Sequence, residues 1–217
     1  MGVHALPNSC MMIIMRNANP TKINARAAAK EASHERIVSV AARAIRRSGY
    51  DGTGVADIMK EAGLTHGGFY AHFASREAML AEAATRACAE SAAVVAGVVA
   101  GTPPEEALAT MLRAYLSREH LEQVELGCPL VALGSETARQ APEVRRATTR
   151  HVKEMIDLVA RQSPDWGQPG AHERALVTVA TMVGTLLLAR VVDESALADS
   201  LCEAAIEHFV PAPNPSS

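Results

Sequence analysis

From Ser33 to Val210 the apolar residues recur at the spacing of an α-helix, segment after segment, and no two-residue turn joins a pair of alternating apolar runs. A chain patterned in this way folds by packing helices on helices, so the expected fold class is all-α. Ile37, Val38, Ala41 and Ile45 share one face of a first helix, which Gly49 should stop. Val55, Ile58, Met59 and Ala62 repeat over only two turns, with Thr53 or Gly54 as N-cap and Gly63 beyond the end. Thr65 opens a third helix through Phe73, and Ser75, with Glu77 and Ala78 behind it, caps a long fourth that runs toward Val99. Pro103 and Pro104, Pro129 and Pro142 then suit helix starts. They open segments to about Ser117, Pro129 to Ala138 and Pro142 to Arg161, with a weaker one at Leu121 to Val124. After a loop from Gln162 to Gly170, the stretch Glu173 to Val192 is apolar on nearly every side, and Ala196 to Val210 follows it.

The expected division is an N-terminal tail at 1–32, a three-helix unit at 33–80, a larger helical domain at 81–210 and a C-terminal tail at 211–217. With 217 residues, 48% of them hydrophobic, the chain can bury a core, which excludes a disordered or fibrous protein. Cys10, Cys88, Cys128 and Cys202 fit neither a disulfide framework nor a zinc-ligand spacing. A reducing, cytoplasmic location is therefore expected, with no metal and no cofactor. The apolar run Cys10 to Met15 is far below the roughly 20 residues that span a membrane. Met11, Met12 and Met15 are candidate internal starts.

Charge is distributed unevenly. Residues 1–76 carry 10 Lys and Arg against 5 Asp and Glu, whereas residues 77–217 carry 11 against 19. A basic end on an acidic chain fits contact with a polyanion. Within the tail, Arg16, Lys22, Arg26 and Lys30 suit either an arm along DNA or a mobile extension.

The compact stretch Thr53 to Arg76 reads TGVADIMKEAGLTHGGFYAHFASR. Two short helices joined by the single turn Gly63-Leu64-Thr65 are what a helix-turn-helix requires, one helix bracing while the other enters the major groove. Leu64, Phe69 and Phe73 point to the core, which turns Thr65, His66, Gly67 and Tyr70 outward. Gly67 and Gly68 weaken a short helix by about 1 kcal/mol each relative to Ala, so close backbone approach to DNA is the expected reason for them. Tyr50, Phe69, Tyr70 and Phe73 are four of the chain's seven aromatics (3 Phe, 3 Tyr, 1 Trp), and a small unit needs such side chains to close a core. The Tyr70 hydroxyl is expected to meet a phosphate. His72 suits either a phosphate or a cap on its own helix, and Arg76 can reach a phosphate from the start of the next helix.

The segment Arg36 to Glu82, above all GVADIMKEAGLTHGGFYAHFASREAML, resembles the DNA-binding domain of the TetR family of bacterial transcriptional regulators. The resemblance implies that Thr65, His66, Gly67 and Gly68 face bases or the adjoining backbone, that Tyr70, His72 and Arg76 hold phosphates, and that Thr53 is a further backbone contact. Gly54 departs from the pattern, standing where the family commonly has Thr or Ser. The resemblance further implies a homodimer on double-stranded DNA, and a repressor released from a palindromic operator by a small-molecule or electrophile effector. The alternative is a small-molecule-binding helical protein without functional DNA binding.

The helix Glu173 to Val192 is the expected dimer surface, with Ala180, Gly184 and Ala189 allowing close approach of another helix, or else the central core helix of one subunit. Met111, Tyr115, Leu116, Leu130, Leu133, Met155 and Leu158 offer apolar lining for an effector site, or ordinary core. The segment GCPLVALGSE, Gly127 to Glu136, is similar to a stretch in a TetR subgroup that includes regulators responding to electrophiles or oxidants. Cys128 precedes a helix start, whose dipole favours a thiolate, so it is either a sensing thiol or an inert buried one. No HExxH, GxSxG, P-loop or GxGxxG pattern is present, and the pair His151 and Glu154 is ordinary helix spacing. No enzymatic role and no membrane partner are expected.

Overall fold

A computed structural model describes residues 20–210, and among them the secondary structure is wholly helical. Nine α-helices follow in order: α1 Pro20–Ser48, α2 Val55–Glu61, α3 Arg76–Val99, α4 Pro104–Tyr115, α5 Arg118–Glu122, α6 Pro129–Thr137, α7 Pro142–Gln162, α8 Ala171–Val191 and α9 Ser195–Phe209. A 3₁₀ segment, His66–Ala71, lies between α2 and α3.

The punctuation acts where its chemistry predicts. Ser75 Oγ accepts from the Ala78 N–H at 3.1 Å and caps α3. Pro104, Pro129 and Pro142 stand in the first turns of α4, α6 and α7, where no N–H is needed. Gly49 and Gly63 end α1 and α2 at φ of 74° and 72°, a left-handed backbone that a side chain resists.

Two expectations are corrected here. Residues 20–32, expected as tail, are the first turns of α1. They run through Ala25 and Ala27 to Ala29 and carry no apolar stripe, so intrinsic propensity rather than burial keeps them helical. The third helix is 3₁₀ and stops at Ala71 instead of Phe73, since two glycines leave little propensity for an α-turn. The candidate starts at Met11, Met12 and Met15, the basic Arg16, Cys10 and the tail from Pro211 lie outside the described residues.

Two cores form, and α3 passes through both. The first gathers Ile37, Ile45, Tyr50, Ile58, Met59 and Phe69 with Met79 and Leu80 of α3, and continues into Leu133 of α6 and Val144 of α7. The second joins α4, the end of α7, α8 and α9 around Met111, Leu112, Met182 and Leu186. Arg46, whose side chain is closed to solvent, ties the two together. It donates to Glu90 of α3 at 2.6 Å and to the Gly127 carbonyl before α6 at 3.5 Å.

Helix α8 is long and apolar enough to cross a membrane by length and composition. In this fold it packs against α7 and α9. Its outer face leaves Val177, Leu188 and Val191 at 59, 50 and 68% exposure, with Ala180 also exposed and Gly184 half-buried between them. Ala189, expected on that face, is instead buried in its own subunit, because α8 turns it toward the second core.

Candidate nucleic-acid interface and effector cavity

The turn between α2 and the 3₁₀ segment is closed by its backbone. The Leu64 N–H donates to Met59 O at 2.8 Å and the Gly63 N–H to Lys60 O at 3.0 Å. Phe69 and Phe73 stack at 5.5 Å in the core and anchor the segment from beneath. Thr65, His66, Gly67, Tyr70 and Ala71 are left exposed on one side, with Gly68 half-buried, and Tyr70 is 76% exposed. A Cβ added at Gly67 would meet nothing within 4 Å, and one at Gly68 would make only ordinary contacts, the nearest 3.7 Å from Met59 Cε. Neither glycine has a positive φ. Nothing inside the chain therefore requires glycine at either position.

Two of the residues expected on phosphates are turned inward. Thr53 is 4% exposed, and its Oγ1 donates to Gly49 O at 2.6 Å, fastening the turn between α1 and α2. Arg76 is half-buried and donates from Nη2 to the carbonyls of Tyr50 and, at 3.3 Å, Thr53. Both side chains brace the loop below the exposed face instead of reaching out from it. Their partners are backbone carbonyls, which satisfy a buried hydroxyl and a guanidinium without DNA.

His72 stands between these cases. It is half-buried, with Nδ1 enclosed and unpartnered. Burial lowers its pKa, and the neighbouring His34 and Lys30 add to that, so the ring is neutral at pH 7. Around it runs an open groove of about 660 Å³ lined by Arg26, Lys30 and Ser33 of α1. Periodicity does not reveal that Ser33 and the first turns of α1 line this groove, because an exposed alanine-rich helix has no apolar face.

A second cavity, of about 400 Å³, opens between α3, α4 and α5. Val94, Val95, Val98, Met111, Ala114 and Leu126 form its apolar wall, and Tyr115 faces it from α4. Of the expected lining, Met111 and Tyr115 are therefore on it. Met155 and Leu158 border a smaller adjoining void with His151. Leu133 is placed elsewhere, in the first core, because α6 turns that side toward α1 and α3. Cys128 caps α6 at 0% exposure, which closes its thiol to an incoming electrophile. Cys88 and Cys202 are buried free thiols, the former with its pKa pushed up to about 12 by burial. Among the described residues, no three His, Cys, Asp or Glu side chains are grouped to hold a metal ion.

Residues 37–83 match the family described as bacterial regulatory proteins, tetR family, and residues 104–200 match the C-terminal domain of LmrA/YxaF-like transcriptional regulators. An HTH-type transcriptional regulator of Mycobacterium tuberculosis is 31% identical over 166 residues, 72% of this chain and 84% of that protein. The HTH-type transcriptional regulator LmrA of Bacillus subtilis is 28% identical over 160 residues, 72% of this chain and 85% of its own. The crystal structure of a TetR transcriptional regulator from Chloroflexus aurantiacus superposes with a TM-score of 0.69 at 27% identity, covering 83% of this chain and 93% of that one.

Proposed function

The chain belongs to the tetR family of bacterial transcriptional regulators, which bind DNA, and from that premise we propose that it works as a homodimeric repressor lifted from its operator by a small-molecule effector. Thr65, His66, Gly67 and Gly68 approach base edges and the adjoining backbone, while Tyr70 and His72 bond phosphates. Thr53 and Arg76 hold the frame from below. The observation that carries this assignment is the exposed face from Thr65 to Ala71, whose glycines have no internal duty and whose largest side chain, Tyr70, stands in solvent.

One such head reads only one half-site, and helix-turn-helix dimers place two heads about 34–36 Å apart on the duplex. The apolar outer face of α8, continued by Leu197 of α9, supplies the contact for a second copy. An effector in the 400 Å³ cavity acts on the Gly127 segment, one hydrogen bond from Arg46 and hence from α1. Binding that favours one dimer geometry over the other then lowers DNA affinity by the difference in its affinity for the two. Regulation requires no bond making or breaking, and the protein acts in the cytoplasm, where its operator lies.

The test is a titration of the full chain against DNA from the region upstream of its gene at several salt concentrations. Salt-steep binding is expected, with log K falling by about 0.9 per phosphate neutralised for each unit of log salt. Salt-independent or absent binding across that region would overturn the repressor reading.

A further inference from the structure

The polar atoms around the cavity divide into those already engaged and those left over. His120 uses both ring nitrogens. Its Nδ1 lies 2.7 Å from the Tyr115 carbonyl and must carry the hydrogen, since a carbonyl only accepts. Its Nε2 then accepts from the Cys128 N–H at 3.0 Å, so the ring is neutral and its tautomer fixed. Ser117 Oγ accepts from the His120 N–H at 3.2 Å, and at the exposed rim Gln123 donates to Glu119 at 3.0 Å.

Left over, besides the Ser91 hydroxyl on the wall, are two enclosed donors. Tyr115 is 3% exposed, and its hydroxyl lies beside the Cys128 thiol without a hydrogen bond of ordinary geometry, although the residue lines the cavity. Burial raises its pKa well above 10, so it keeps its proton. Arg190 of α8 donates Nε to Leu121 O at 3.1 Å and Nη2 to His120 O at 2.7 Å, which leaves Nη1 enclosed and unpartnered. It stands directly behind the wall: a Cβ on Gly127, a lining residue, would come within 2.9 Å of Nη2. No carboxylate pairs with this guanidinium among the described residues.

Buried donors without acceptors are rare in native proteins, because each forfeits the hydrogen bond it made in water. Here one is an enclosed hydroxyl on a residue that lines an apolar cavity and the other is an unpaired cation behind that wall, with the Glu119 carboxylate out at the rim. A ligand with an anionic head enters such a gradient head first. We propose that the effector is an amphiphilic monocarboxylate, its apolar body against Val94, Val95, Val98 and Leu126 and its carboxylate accepting from the Tyr115 hydroxyl in the field of Arg190. This rests on the reading of the cavity as the effector site.

The test uses the full chain with octanoate, decanoate, dodecanoate and 2-naphthoate, each beside its methyl ester, and with dodecyltrimethylammonium as the cationic counterpart. Calorimetry and thermal shift measure binding, and release of bound operator DNA is followed in the same samples. At least one carboxylate should bind, release DNA and outcompete its ester by at least about tenfold, the range of a charge-assisted hydrogen bond. Tyr115→Phe should weaken that carboxylate by about tenfold to a hundredfold while changing its ester little. The ligand-free melting temperature of Tyr115→Phe should not fall, because the hydroxyl it removes satisfies no partner. An ester as tight as its acid, tightest binding by the ammonium, no carboxylate binding at all, or a preference that survives Tyr115→Phe would each overturn the assignment. Operator binding by the ligand-free protein separates the two failures. If DNA is held but no carboxylate binds, only the effector class falls; if DNA is not held, the repressor reading itself falls.

Discussion

Gly67 offers a substitution in which stability and DNA binding should move in opposite directions. Its φ is not positive and a Cβ there meets open space, so Gly67→Ala restricts the unfolded chain without strain in the folded one. Thermal unfolding should show equal or slightly higher stability, within about 1 kcal/mol, while operator affinity falls because the new methyl stands between backbone and duplex. An unchanged affinity would remove the close-approach argument. His151 is a second informative residue. Both of its ring nitrogens are buried without partners, and burial lowers its pKa from 6.5 to about 4. The unfolded chain therefore takes up the proton first. Stability is intact above pH 6.5 and is lost as pH falls toward 4, on the order of 1 kcal/mol per pH unit. His151→Leu should flatten that acid limb in denaturant titrations, and a limb of unchanged steepness would place the loss in other groups.

At the scale of elements, helix α1 outruns the core it serves. Its turns before Ser33 are exposed on every described side, hold no acidic residue in the first turn, and carry Arg26 and Lys30 beside His72. Both lie beyond the first turn of α1, where the macrodipole no longer acts, and neither pairs with a carboxylate among the described residues, so their benefit lies outside the helix. Arg26→Ala with Lys30→Ala should weaken binding to operator and unrelated DNA alike, and reduce the salt slope by about 0.9 for each phosphate that is no longer neutralised. A slope equal to that of the unsubstituted protein would leave the extension without a role on DNA. The boundaries of α3, α4, α6 and α7 were legible in sequence because serine and proline act on their own neighbours, within reach of local reading. The start of α1 was not, since nothing is buried there to impose a period. Thr53 and Arg76 escaped for a different reason: their partners are the carbonyls of Gly49, Tyr50 and Thr53, which come into reach only once the loop has folded. Likewise the inward turn of Leu133 and Ala189 follows from how α6 and α8 are rotated in the bundle, a quantity that an all-round apolar segment does not encode.

For the whole molecule, the apolar face of α8 should decide function through assembly. Leu188 is half exposed in the single chain, so Leu188→Glu leaves each subunit's core intact. Light scattering should then report monomers that keep their helical content by circular dichroism but melt below the dimer, and operator affinity should drop steeply as two heads no longer bind together. A Leu188→Glu protein that stays dimeric would move the interface elsewhere. Helix α3 adds a purely geometric amplification. It is one unbroken rod of 24 residues, about 36 Å long, gripped by Met79 and Leu80 near one end and by Val95 and Val99 at the other. Tilting such a rod by about 5° swings its far tip by roughly 3 Å, close to the rise of about 3.4 Å between stacked base pairs. Under the proposed mechanism, a motion too small to notice at the ligand would become a slip of one rung on the DNA ladder.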